Sequence, residues 1–250
     1  MHKFERDFLV CASNVNSDMH ITNKALLGWM EDIGSLHSDV CGCGYININE
    51  HHLSWIIMQW EVEVIRRPAY GEKLRNVTWV SGDKRVYAYR QHAFYDEEGK
   101  LVVRACGKWV LSNTESGVIK LPRKVMDGYG INPETVFDDN NNMPRITEPE
   151  GYESVYDYRV PCTCIDVNGH MNNKFYLDIA YQALPIDVYM SGSFDGFEIM
   201  YKRECKLNDD LKCYYHFDGE KHIVTIKSAE DGLLHAIVRL RLEKSNEENL

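Results

Sequence analysis

An acid, an amide and an imidazole stand at i, i+2 and i+4 in Asp166-Val-Asn168-Gly-His170-Met-Asn-Asn. A second carboxylate and a thiol, Glu204-Cys205, follow 34 residues after the histidine. Taken singly, each piece has a plain structural use: Asp-x-Asn makes turns and caps, and a thiol next to a strand-end acid is a small core residue. Taken together they suit hydrolysis of an activated acyl group. A carboxylate or imidazole takes the proton of an attacking water, and an amide N–H polarises the carbonyl oxygen. Asp166 can orient the His or the Asn, and Glu204 can reach the same water. This chemistry calls for no metal and no organic cofactor.

Such a set needs elements to hold it, and the chain supplies them twice. Asn16-Ser-Asp18-Met-His20-Ile-Thr-Asn23-Lys24 matches Asp166-Val-Asn168-Gly-His170-Met-Asn-Asn173-Lys174 at a shift of 150, with the acid and amide exchanged. Leu26, Trp29, Met30 and Ile33 then fall at i, i+3, i+4 and i+7, and Tyr176, Ile179, Ala180 and Ala183 repeat that spacing. Each set predicts one apolar stripe of an amphipathic helix, with His170 at the start of the second. Strand-like runs follow: His52–Val64, Lys73–Ser81, Arg85–Tyr95 and Leu101–Leu111 in the first half. In the second they are Phe197–Arg203, Lys212–Phe217, His222–Ala229 and Leu234–Leu242. Asp96-Glu-Glu-Gly99, Asp218-Gly219-Glu220 and Glu230-Asp231-Gly232 read as hairpin turns. Each half therefore reads as a strand, a long helix and an antiparallel meander, an α+β arrangement in which the sheet must wrap the helix to bury it. The expected organisation is residues 1–122, a Pro- and Asn-rich linker over 123–151, and residues 152–250.

The halves differ where the chemistry lies. Matching Ile65-Arg66-Arg67 to Tyr201-Lys202-Arg203 sets Pro68 against Glu204 and Ala69 against Cys205. The second copy then holds the reactive set, and Asn16, Asp18 and His20 of the first read as structural or vestigial.

Bulk properties narrow the class. Of 250 residues, 44% are apolar and 26% charged, an ordinary globular balance with material for a sizeable core. A net charge of −10 argues against a nucleic-acid binder, which needs a basic face. The N-terminal residues have no apolar signal region, and no run reaches the length of a membrane span, so a cytoplasmic protein is expected, bacterial or matured. The eight cysteines include two Cys-x-Cys pairs, a spacing unlike that of zinc sites, and read mostly as reduced buried thiols.

The segment Ile165-Asp-Val-Asn-Gly-His-Met-Asn-Asn-Lys-Phe-Tyr resembles the signature of the acyl-ACP thioesterases, the plant Fat-type enzymes and their bacterial relatives. Tyr201-Lys-Arg-Glu-Cys205 resembles their second signature, and the run from Trp55 to Pro68 into Ala69-Tyr-Gly-Glu, with Lys108-Trp109-Val110, resembles their first half. The resemblance implies two hotdog folds in tandem and hydrolysis of acyl-ACP to free fatty acid and carrier thiol. It implies Asp166, Asn168, His170 and Glu204 as the catalytic network, with Cys205 as an accessory or nucleophile. We prefer water activation by Glu204 and His170, because a buried thiol beside a carboxylate is a poor thiolate. The acyl pocket is implied in the N-terminal half, with Leu26, Trp29, Met30, Ile33, Trp55 and Met58 as lining or as core. The acidic carrier would be met by some of Arg66, Arg67, Lys120, Arg123, Lys124, Lys202 and Arg203. No nucleic acid, membrane or metal is implied, and a homodimer is left open. The rival readings are an acyl-CoA thioesterase, a hydratase or dehydratase, and a non-catalytic acyl-thioester-binding module.

Overall fold

The computed structural model describes residues 3–44, 52–113, 115–138, 141–192 and 194–242. Two compact units divide between Pro144 and Arg145.

The first unit runs β1 (Phe4–Leu9), a 3-10 turn at Ala12–Asn14, α1 (Asn23–Val40), β2 (Leu53–Val64), β3 (Lys73–Lys84), β4 (Tyr87–Tyr95), β5 (Leu101–Asn113), the two-residue β6 (Gly117–Val118) and α2 (Arg123–Tyr129). Thr22 caps α1, its hydroxyl accepting from Ala25 N at 3.1 Å, and Gly42 ends it in the left-handed region at φ 74°. The antiparallel sheet has the order β1-β3-β4-β5-β2, with β6 on β5. Leu26, Leu27, Met30 and Ile33 of α1 are fully buried. Burying such a side chain is worth about 1.5–3 kcal/mol, so tertiary packing more than propensity holds this helix. The β2–β5 register slips at Met58, a bulge in β2.

The second unit runs β7 (Ser154–Arg159), a 3-10 turn at Cys162–Cys164, α3 (Phe175–Ala183), α4 (Ile186–Met190), β8 (Phe194–Tyr201), β9 (Asp210–Phe217), β10 (His222–Ser228) and β11 (Leu234–Leu242). Its antiparallel order is β8-β11-β10-β9-β7. The stripe Tyr176, Ile179, Ala180 and Ala183 is buried as the spacing predicts. The helix itself is not long. Pro185 forces Leu184 into extended backbone at ψ 149° and stops α3 after nine residues. Glycines at positive φ close all three expected hairpins, Gly99, Gly219 and Gly232.

The Pro- and Asn-rich stretch is anchored at both ends. Leu121, Met126 and Tyr129 pack with Val80, Ala88 and Leu111 of the first unit, and Ile146 packs with Met200, Ile223 and Ile237 of the second. Asn140 of that stretch lies outside the described residues. Of the cysteines, Cys106, Cys164, Cys205 and Cys213 are buried, whereas Cys11 and Cys162 are exposed and Cys41 and Cys43 half-buried, so burial accounts for half of them rather than most. No helix of the described residues is long and apolar enough to cross a membrane.

Candidate active site

The 3-10 turn at Cys162–Cys164 leads into a tight loop closed by the bridge Ile165↔Met171. Asp166 organises this loop: its Oδ1 accepts from Asn168 N at 2.8 Å and His170 N at 3.4 Å, and its backbone N–H donates to His170 O at 2.8 Å. An aspartate accepting from the amides that follow it is an Asx turn. Gly169, at φ 78°, lets the chain double back. The Asn168 carboxamide lies 3.5 Å from Asp166 Oδ2, with Nδ2 donating, and the residue is exposed.

His170 does not open a helix. Asn172 accepts from Lys174 N at 3.2 Å, and Phe175 N and Tyr176 N donate to Asn172 O and Asn173 O in a tight turn, so α3 starts five residues after His170. The helix start expected at His170 is thus displaced to Phe175, and no helix N-terminus stands at His170.

Glu204 lies three residues past the end of β8, in a loop rather than on the strand. Met171 N donates to Cys205 O at 2.8 Å, which ties this loop to the first. The result is a contact between residues far apart in sequence: His170 Nε2 and Glu204 Oε1 are 3.2 Å apart, with side chains 32% and 53% exposed. A partly exposed imidazole–carboxylate pair is accessible to water and substrate while each group holds the other in place.

Directly beneath Glu204 the surroundings are buried and polar. Cys205 is fully buried, and burial pushes its thiol up to about 12. Tyr176 Oη donates to Cys205 Sγ at 3.3 Å, and His235 Nδ1 lies 3.2 Å from the same sulfur. Neither Tyr176 nor His235 stood out in the sequence as a polar group: Tyr176 reads as one member of the apolar stripe of α3, and His235 is a lone residue in a β-run, which carries no spacing signal.

The first unit repeats this frame without its chemistry. Ile21 N donates to Pro68 O as Met171 N does to Cys205 O, and Ile65 N and Arg66 N donate to Val102 O as Lys202 N and Arg203 N do to His235 O. Backbone equivalence therefore sets Arg67 against Glu204 and Pro68 against Cys205, one residue earlier than the match of basic residues predicts. Arg67 has no carboxylate to offer. Its guanidinium donates to Ile21 O at 2.8 Å and Asn23 Oδ1 at 3.1 Å.

The implied pocket residues are dispersed within the first unit. Leu26, Met30 and Ile33 share the buried stripe of α1. Trp29 stacks on Phe8, ring centroids 4.8 Å apart, Trp55 meets the edge of Tyr129, and Met58 is the bulged residue of β2. Among the expected docking cations, Arg66 is engaged by Glu72 and Asp96 and Arg203 by Asp231, and Lys120, Lys124 and Lys202 carry no ion pair among the described residues.

A helix packed on an antiparallel meander, twice in one chain, is the double-hotdog architecture. The solved structure of an acyl-ACP thioesterase from Bacteroides thetaiotaomicron shares it at a TM-score of 0.85, with 20% identity over 96% of this chain and 98% of that one. A 12:0-ACP thioesterase from Umbellularia californica superposes at 0.84, with 20% identity over 96% of this chain and 97% of its own. Among curated proteins, the chain is 23% identical to an oleoyl-acyl carrier protein thioesterase of Arabidopsis thaliana, covering 82% of this chain and 61% of the relative. It is 24% identical to a dodecanoyl-[acyl-carrier-protein] hydrolase of Cinnamomum camphora, covering 84% and 58%. The chain thus spans about three fifths of the length of these plant relatives. The acyl-ACP thioesterase N-terminal domain family matches residues 1–129 and the C-terminal domain family residues 147–241. The chain belongs to the acyl-ACP thioesterase family.

Proposed function

We propose that the chain hydrolyses fatty acyl thioesters of acyl carrier protein, releasing free fatty acid and the carrier's thiol. One observation carries the reading: His170 Nε2 and Glu204 Oε1 meet at 3.2 Å in the unit matched by the family's C-terminal domain. In the proposed reaction Glu204 and His170 take the proton of a water that attacks the thioester carbonyl. Asn168 donates to the developing oxyanion, Asp166 holds Asn168 and His170 through their backbone amides, and the carrier's sulfur leaves with a proton. Removing a general base of this kind costs about 10²–10⁴-fold. Cys205 stays a thiol at neutral pH because burial raises it to about 12, which favours water over sulfur as the nucleophile. For the acyl chain we keep the first unit, with the α1 stripe Leu26, Met30 and Ile33 as the foremost candidates. A site within the cytoplasm and an acidic carrier as partner go with this reading.

The test is thiol release from a panel of acyl-ACPs of varied chain length, with matched acyl-CoAs alongside. Wild type should release thiol from some of the ACP substrates, and Glu204→Ala and His170→Ala should each lose about 10²-fold or more in kcat. No release from any chain length, or an unchanged rate in Glu204→Ala, overturns the reading. Faster release from the CoA series would reassign the carrier.

A further inference from the structure

The carboxylate proposed as base sits on a loop, and a loop does not by itself hold a side chain to within a few tenths of an ångström. We infer that His235, on β11, is the positioning residue that fixes Glu204 for this reaction, an inference resting on the function proposed above. His235 is 4% exposed. Its Nδ1 lies 3.1 Å from Glu204 O and 3.3 Å from Arg203 O, and its own carbonyl accepts from Lys202 N at 2.8 Å and Arg203 N at 3.1 Å. One residue therefore grips the three residues Lys202, Arg203 and Glu204 from both its ring and its backbone.

The tautomer follows from the partners. Carbonyl oxygens only accept, so the ring nitrogen facing two of them carries the hydrogen. That decides between two readings of the 3.2 Å contact with Cys205 Sγ. A thiol at that distance from an imidazole is also the spacing of a nucleophile and its base. A protonated Nδ1 cannot take the thiol's hydrogen, so the pair is not a nucleophilic dyad. The sulfur instead completes the buried polar platform, with Tyr176 Oη donating to it at 3.3 Å.

The internal repeat gives a second, independent argument. The place held by His235 in the hydrogen-bond frame is held in the first unit by Val102, and the two also lie three residues past the hairpin glycines Gly232 and Gly99. Tyr176 has Leu26 as its counterpart, and Cys205 has Pro68. The first unit has the same fold with an apolar residue at each of these places and no carboxylate at the Glu204 position. A fold that packs well with Leu and Val has no structural need for a buried Tyr and His, so the polar platform accompanies the carboxylate rather than the fold.

The experiment compares His235→Asn, His235→Gln and His235→Leu, alone and in the Glu204→Ala background, on an acyl-ACP that wild type hydrolyses. Asn puts an amide nitrogen near the Nδ1 place, Gln puts it one bond further out, and Leu offers no donor. His235→Leu should lower kcat about 10-fold or more with KM changed less than about twofold. His235→Asn should recover most of the loss and His235→Gln little of it. On top of Glu204→Ala, His235→Leu should cost less than about twofold, because a residue acting through Glu204 has nothing left to position. An unchanged kcat in folded His235→Leu, equal rates for Asn and Gln, or losses that multiply in the double variant would each overturn the inference. If the Leu variant does not fold, the Asn–Gln comparison decides alone. Failure of the underlying function looks different: there Glu204→Ala itself would leave the rate unchanged.

Discussion

At the scale of single residues, the site rests on one turn and one thiol. The turn needs a residue in the left-handed region, which costs a side-chain-bearing residue about 1–2 kcal/mol. The second unit places Gly169 there at φ 78°, and the first places Met19 in the same role at φ 64°. A Cβ at Gly169 would meet nothing within 4 Å, so its cost is the backbone conformation alone. Gly169→Ala should therefore lower stability by about 1 kcal/mol, and Met19→Gly should raise it by a similar or smaller amount, the gain being trimmed by glycine's freedom when unfolded. Urea melts of the two variants check this, and a stabilised Gly169→Ala would refute it. The thiol leads to an activity prediction. Cys205 is buried, held up at about 12 and in contact with a histidine nitrogen that carries its own hydrogen, so it does not ionise near neutrality. Cys205→Ala should keep a large part of the thioesterase rate measured by thiol release, where Glu204→Ala loses about 10²-fold. Loss as deep as that of the glutamate variant would restore the sulfur as nucleophile.

At the scale of elements, much was legible because the signals are periodic. The i, i+3, i+4, i+7 stripes located α1 and α3, and Asp/Gly pairs located the hairpins, each by a mechanism that acts within a few residues. The acid–amide–imidazole spacing was legible for the same reason: Asp166, Asn168 and His170 lie in one Asx-turn loop. What failed needed longer range. The start of α3 was misjudged because Asn172 holds the chain in a tight turn first, and its length because Pro185 interrupts an otherwise helical pattern. The halves were aligned one residue out because Arg66-Arg67 looks like Lys202-Arg203, whereas the hydrogen bonds equate Arg66 with Arg203. Counting from the hairpin glycines would have found the right register and exposed His235. Sheet packing shows the same limit. Nothing in the sequence marks Gly107 as special, yet Trp60 and Trp109 cross edge-on at its position, ring centroids 5.8 Å apart, and a Cβ there would sit 2.6 Å from the Trp109 indole nitrogen and 2.8 Å from the Trp60 ring. Gly107→Ala should cost about 1–3 kcal/mol through forced movement of two indoles. A thermal melt unchanged from wild type would mean the rings part without cost.

At the scale of the whole molecule, the distribution of buried histidines sets how the protein responds to acid. His37 and His92 in the first unit and His222 in the second are all held below the ordinary imidazole range, burial being the largest cause in each; the nearby Arg90 charge adds to it for His37 and His92. His37 is pushed down to about 3. Its geometry agrees: Arg90 Nη1 donates to His37 Nδ1 at 2.9 Å, which requires that nitrogen to be unprotonated. A depressed native pKa means the unfolded chain binds the proton first. The stability that His37 contributes is therefore complete above pH 6.5 and is lost progressively as pH falls from 6.5 toward 3. By pH 5 the loss from His37 alone is roughly 2 kcal/mol. The carboxylates held low by partners, Asp7, Glu72 and Asp96 among them, act in the same direction but only below the ordinary carboxylate range, so the slope between pH 6.5 and 5 belongs to the histidines. His37→Asn keeps an acceptor for Arg90 and removes the titration. Wild type should lose stability over that interval in urea melts at fixed ionic strength, and His37→Asn should lose roughly 2 kcal/mol less, even if it starts from a lower value at pH 7. Parallel pH slopes in the two proteins would show that the imidazole is not buried neutral and that the interior around Arg90 is open to protons.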